Sequence, residues 1–249
     1  MRCDILGVSF DCLTLDTAVA QALSFLTEDK SHTIVTPNAE IVWMAGRDER
    51  LRQALNTADL VLPDGVGVVR AARKLGYPIC ERVAGIDFAG ALLPPLARQG
   101  TPLFLYGGRP GVADQAAIRV TTDHPGLNVV GTRDGYTDAD SPEDIAAVVR
   151  DCGAHVLFVC LGAPKQELFM QRHGRATGAR LLVGLGGTLD VWSGNVARAP
   201  RPFVKFGLEW LYRLIRQPRR LSRAFRLPAF LLKVRRQKSD MKKNKRNIC

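Results

Sequence analysis

Several short stretches of this 249-residue chain put a carboxylate, glycines or an arginine just after an apolar run, and each implies a definite chemistry. In Leu60-Val61-Leu62-Pro63-Asp64-Gly65-Val66-Gly67, one carboxylate precedes a glycine-flanked turn. A free aspartate has a pKa of about 3.9, so Asp64 is ionised at neutral pH and can take a proton from a hydroxyl as that oxygen attacks. The competing reading is an ordinary cap on the following helix. Gly107-Gly108-Arg109-Pro110-Gly111 offers amides and a cation to a phosphate, or is simply a tight turn; it lacks the P-loop and dinucleotide patterns. Gly184-Leu185-Gly186-Gly187-Thr188-Leu189-Asp190 carries the same ambiguity and adds a carboxylate able to grip a ribose or sugar hydroxyl.

Metal chemistry is weakly signalled. Asp138-Ala139-Asp140 has an Asp-X-Asp form that can hold a metal on a diphosphate. It also precedes Ser141-Pro142, where acidic residues favour the helix dipole, and no neighbouring acidic cluster completes an oxygen cage. The six cysteines form no Cys-X-X-Cys pair, and the four histidines have no metal-ligand spacing with them. No metal and no other cofactor is expected. A departing diphosphate then needs cationic side chains, for which Arg82 and the C-terminal arginines are candidates.

These residues need a scaffold, and the hydrophobic pattern supplies one. Apolar, β-branched runs at 33–36, 60–62, 103–106, 128–130, 156–161 and 181–183 read as strands. Helical patterns lie between them at 39–45, 49–56, 66–75, 85–97, 112–124, 142–152 and 165–177. Ser141-Pro142-Glu143 is a clear helix start. The alternation predicts an α/β fold, a largely parallel sheet with helices on both faces. Ligands in such sheets sit beyond the carboxyl ends of the strands, where Thr36-Pro37-Asn38, Asp64, Gly107-Gly108, Gly162 to Glu167 and Gly184 to Asp190 all fall.

Charge divides the chain. The formal net charge is +11, but residues 198–249 hold 17 Lys or Arg against Glu209 and Asp240, a net +15. The first 197 residues carry a net −4. We therefore expect a catalytic α/β domain over 1–197 and a helical, basic, membrane-associating appendage over 198–249. Phe203, Phe206, Trp210, Leu211 and Leu214 recur near helical spacing beside Arg213 and Arg216. A second stretch mixes Phe225, Phe230, Leu231 and Leu232 with Arg223, Arg226 and Arg235, and Pro228 is expected to break or kink it. Rings and cations on short helices suit an anionic membrane surface; the alternative is a helix packed on the core with a frayed end after Gln237. No run approaches the roughly 20 apolar residues of a spanning helix. The expected location is the cytoplasm, peripheral to the inner face of the plasma membrane.

Taken together, Thr36-Pro37-Asn38, Pro63-Asp64-Gly65-Val66-Gly67, Arg82-Val83-Ala84-Gly85-Ile86-Asp87, Gly162-Ala163-Pro164-Lys165-Gln166-Glu167, Gly184 to Asp190, and Arg198-Ala199-Pro200 running into Gly207 to Arg213 resemble the WecG/TagA/CpsF family of bacterial glycosyltransferases. The resemblance implies an inverting, metal-independent enzyme with a Rossmann-like body. Its UDP-sugar donor would carry N-acetylmannosamine, the corresponding uronic acid, or glucose, and its acceptor would be an undecaprenyl-diphosphate-linked sugar. By the same resemblance Asp64 is the general base. Thr36, Asn38, Arg82, Gln166 and Asp190 hold the donor or shape its pocket, with Gly107 and Gly108 as candidate donor contacts from their turn. Arg213, Arg220 and Arg223 close over the diphosphate. Family members can self-associate, which leaves a homo-oligomer open. Two rival readings remain at this point: a nucleic-acid-associated protein, which would leave the strand-end residues unexplained, and a dinucleotide-dependent oxidoreductase, which lacks its Gly-X-Gly-X-X-Gly signature.

Overall fold

The computed structural model describes residues 1–79, 81–136, 141–200, 203, 212 and 226–246. The chain opens with an antiparallel hairpin, β1 (Arg2–Ile5) and β2 (Val8–Asp11). Its two-residue turn puts Leu6 at φ 55° and Gly7 at φ 85°, the geometry that suits strand twist. This hairpin lies outside the predicted strands, because Leu-Gly carries only half of a turn signature. Helix α1 (Leu15–Phe25) follows, started by a reciprocal cap between Thr14 and Thr17, and was not predicted either.

The predicted alternation then unfolds in order. The strands are β3 (His32–Val35), β4 (Leu60–Val61), β5 (Leu103–Gly107), β6 (Val129–Arg133), β7 (Val156–Cys160) and β8 (Leu181–Gly184). They form one six-stranded sheet, ordered β4-β3-β8-β7-β5-β6, in which every pairing is parallel. Helices α2 (Ala39–Ala45), α3 (Glu49–Asn56), α4 (Val66–Leu75), α7 (Pro142–Asp151) and α8 (Lys165–His173) contribute to one core. The opposite face is covered by α1, α5 (Gly85–Gln99), α6 (Val112–Asp123) and α9 (Thr188–Trp192). Alternate residues of a strand serve the two cores: Leu103 and Leu105 point one way, Phe104 and Tyr106 the other. The predicted 165–177 helix ends at His173 and continues as a single 3-10 turn, Gly174–Thr177.

Strand order locates the crevice. The β5-α6-β6 connection steps toward one edge of the sheet and the β7-α8-β8 connection steps toward the other, with their helices on opposite faces. The neighbours β5 and β7 therefore flank a topological switch point, where loops diverge and leave room for a ligand.

At the far end of the chain, α10 (Arg226–Arg246) packs against α2 and α4. Phe230 and Val234 are fully buried in the body's core, so Phe230 faces protein and is not offered to a lipid surface. Gln237 secures the dock: its amide donates to Asp4 Oδ1 at 2.7 Å and its oxygen accepts from Leu6 N at 3.1 Å. Lys233 Nζ lies 4.6 Å from the centre of the Trp43 ring. Leu232, Arg235, Arg236 and Lys243 remain exposed. Pro228 is the third residue of the described helix, in the first turn, and the residues just before Arg226 lie outside the described ones; the helix continues beyond Gln237 to Arg246, so the expected frayed end is not found.

Candidate functional site

The carboxyl ends of β3, β4 and β8 converge. Thr36, directly after β3 and almost fully buried, donates its hydroxyl to the carbonyl of Gly184 at 2.9 Å, joining the ends of β3 and β8. The start of α5 is pressed into the same place: a Cβ on Gly85 would meet Thr36 Oγ1 at 2.9 Å, so glycine is needed for this approach. Val83 N donates to Pro63 O at 3.1 Å, which sets the Arg82-Val83 backbone beside Asp64. Asp64 is half-buried. The cap position of α4 is Gly65, at φ 90°, so Asp64 stands one residue outside the N-cap. Asn38 lies close by, its Cβ 3.6 Å from where a Gly65 side chain would begin. Its Oδ1 caps α2 by accepting from Glu40 N and Ile41 N, at 2.9 and 3.1 Å. Among the described residues nothing engages its Nδ2.

Gln166 sits beneath this edge and is 2% exposed. Its Oε1 accepts from Gly162 N at 3.2 Å and Gly186 N at 2.9 Å, drawing together the loops after β7 and β8. Its Nε2 donates to Glu167 Oε1 at 2.9 Å. The residue thus holds two glycine loops together. Glu167 is equally buried, and its Oε2 bonds nothing among the described residues. Burial pushes its carboxyl up to about 7, against lowering hydrogen bonds from its own amide and from Gln166. The sequence singles out Glu167 only as part of the Gly162 to Glu167 stretch and does not reveal its burial.

The second half of the edge lies across the switch point. Gly107 has φ 129° and a Cβ there would fall 2.3 Å from Cys160 O, so β5 and β7 can approach only through glycine. Gly108 N donates to Cys160 O at 3.3 Å and is spent. Gly135 N donates to Gly108 O at 2.8 Å, so the exposed Tyr136 follows directly on a residue bonded to the glycine turn. Asp190, in the first turn of α9, turns its Oδ2 toward exposed Gly187, 3.5 Å from where a Cβ would stand. Tyr136, just after β6, is an exposed ring near this edge that the sequence reading does not single out.

Arg82 Nη2 donates to Asp87 Oδ2 at 3.4 Å, and Arg198 Nη2 bonds the other oxygen of the same carboxylate. Thr36, Asn38, Asp64, Arg82 and Gln166 are therefore one neighbourhood, with Gly107, Gly108 and Asp190 along the same edge. Arg213, Arg220, Arg223 and the Asp138-Ala139-Asp140 stretch lie outside the described residues. Among the described residues no group of three or more His, Cys, Asp or Glu is arranged to hold a metal ion. Cys3, Cys12, Cys152 and Cys160 are free thiols, and burial pushes Cys160 up to about 12, so it is inert packing.

Over 213 residues the chain is 38% identical to a Bacillus spizizenii protein named N-acetylglucosaminyldiphosphoundecaprenol N-acetyl-beta-D-mannosaminyltransferase, covering 85% of this chain and 81% of that one. The model of the glycosyl transferase WecG/TagA/CpsF family matches residues 3–244, almost end to end, and the chain belongs to that family of glycosyltransferases.

Proposed function

We propose that the chain transfers an N-acetylmannosamine-type sugar from UDP to N-acetylglucosamine on an undecaprenyl diphosphate, with Asp64 as general base and without a metal ion. The relative's name supplies both sugars. The observation that carries the residue assignment is Asp64 itself: a half-buried carboxylate at a parallel-strand end, outside the cap position, with Arg82 alongside. In the proposed step Asp64 takes the proton of the acceptor hydroxyl while that oxygen bonds to the anomeric carbon. The bond from that carbon to the β-phosphate oxygen breaks, and its electron pair leaves with UDP. One displacement turns an α-linked donor into a β-linked product.

Asn38 Nδ2, Asp190 and the Tyr136 ring are offered to the donor's sugar, ribose and base. Arg82 neutralises the diphosphate, with Arg213, Arg220 and Arg223 completing that role from the appendage. No described helix is long and apolar enough to cross a membrane. Residues 198–249 would bring the body to the lipid-linked acceptor through peripheral contact with anionic lipid, using the exposed cations of α10. The reading is tested by incubating the full chain, in EDTA, with UDP-sugars and undecaprenyl-diphosphate-N-acetylglucosamine in vesicles. UDP release with one donor, and a β-linked lipid disaccharide, is expected. No turnover with any donor overturns it.

A further inference from the structure

Two charged residues at the catalytic edge have no part in the reaction so far: Asp87 and Arg198. Asp87 lies in the first turn of α5, whose start is packed on Thr36. It divides its carboxylate, one oxygen to Arg82 and one to Arg198, although Arg198 is 111 residues further along the chain. The side chains are 19%, 30% and 44% exposed for Arg82, Asp87 and Arg198. Pairs this open to water add little to stability, so stability alone gives no reason for the arrangement.

Its composition points elsewhere. Two guanidinium groups share the single carboxylate of Asp87, so the three side chains together are cationic, and they stand at the amino end of α5. Arg198 commits one Nη to Asp87 and its remaining donors bond nothing among the described residues. A guanidinium held by one corner, with its fork still open, is prepared for a bidentate contact with phosphate oxygens.

We propose that Asp87 is a positioning residue that sets Arg82 and Arg198 side by side as a two-guanidinium clamp for the diphosphate of the donor. This rests on the UDP-donor reading above. It brings Arg198, the first residue of the basic segment, into the donor site, and so ties the start of that segment to donor occupancy.

The test is calorimetric titration of the full chain, in EDTA, with UDP and separately with uridine, for the parent, Arg198→Ala, Arg198→Lys and Asp87→Asn. Arg198→Ala should weaken UDP binding by about tenfold or more, the scale of a lost charge-assisted hydrogen bond. Uridine affinity should stay within about twofold, since uridine has no phosphate. Arg198→Lys should recover only part of the loss, because an ammonium lacks the fork. Asp87→Asn should weaken UDP even though it makes the site more positive. Thermal melting of each variant keeps folding separate from binding. UDP affinity unchanged in Arg198→Ala, UDP and uridine falling together, or UDP unchanged or tighter in Asp87→Asn would each overturn the clamp. A parent protein that binds no UDP would overturn the donor reading itself.

Discussion

The hydroxyl of Thr36 donates to the carbonyl oxygen of Gly184 across 2.9 Å, binding the ends of β3 and β8 together under the candidate site. Thr36→Val keeps the shape and removes the donor. Leaving a buried carbonyl without that partner costs about 1–3 kcal/mol. Urea denaturation should show this loss, and donor KM should rise because the Asn38 and Gly184 loops are no longer held in register.

Glu167 supplies a pH dependence whose sign follows from its burial. Its carboxyl is raised from 4.5 to about 7 in the folded chain, so between those values the native state holds more proton than the unfolded one. Its contribution to stability is complete below about pH 4.5 and is lost as pH rises through about 7, by at most about 3 kcal/mol. Glu167→Gln cannot ionise. Melting temperatures from pH 5 to 8 should therefore fall less steeply for the variant than for the parent.

Gly107 tests the close approach of β5 and β7. A methyl group there would overlap Cys160 O at 2.3 Å on a backbone at φ 129°. Gly107→Ala should destabilise by more than about 3 kcal/mol, at the severe end of single substitutions. Gly153→Ala, with φ 66° but open space around it, should cost only the backbone term of about 1 kcal/mol. The difference between the two melting curves isolates the steric contact.

Docking of α10 depends on Phe230. Truncating so fully buried a ring costs about 3–5 kcal/mol. Phe230→Ala should melt earlier and expose the helix to limited proteolysis within 226–246. Leu232→Ala, on the exposed side, should change stability by less than about 0.5 kcal/mol.

The parallel sheet was legible because its inner strands β5, β7 and β8, buried on both faces, read as apolar runs bounded by polar or glycine residues. The place of Asp64 at the end of such a run was legible for the same reason. Its role was not, since an aspartate before a glycine turn reads equally as a helix cap, and the backbone adds that the cap position itself is Gly65. The hairpin was missed because Leu6-Gly7 looks like ordinary chain, and α1 because Thr14 caps it through Thr17 instead of a glutamate. The amphipathic pattern of α10 says that one face is apolar but not what covers it, and here protein covers Phe230. Gln166 and Glu167 are polar by type and core by position. The Asp87–Arg198 pair spans too much sequence for any local pattern to reveal it.

The central claim is that Asp64 takes the acceptor's proton, and Asp64→Asn tests it most directly because the side chain keeps its size and loses its basicity. Sugar transfer and UDP binding would be measured together for the parent and the variant. A fall in kcat of about 10²- to 10⁴-fold, with UDP affinity unchanged, is the predicted result. Transfer at the parental rate by Asp64→Asn would contradict the assignment of the base.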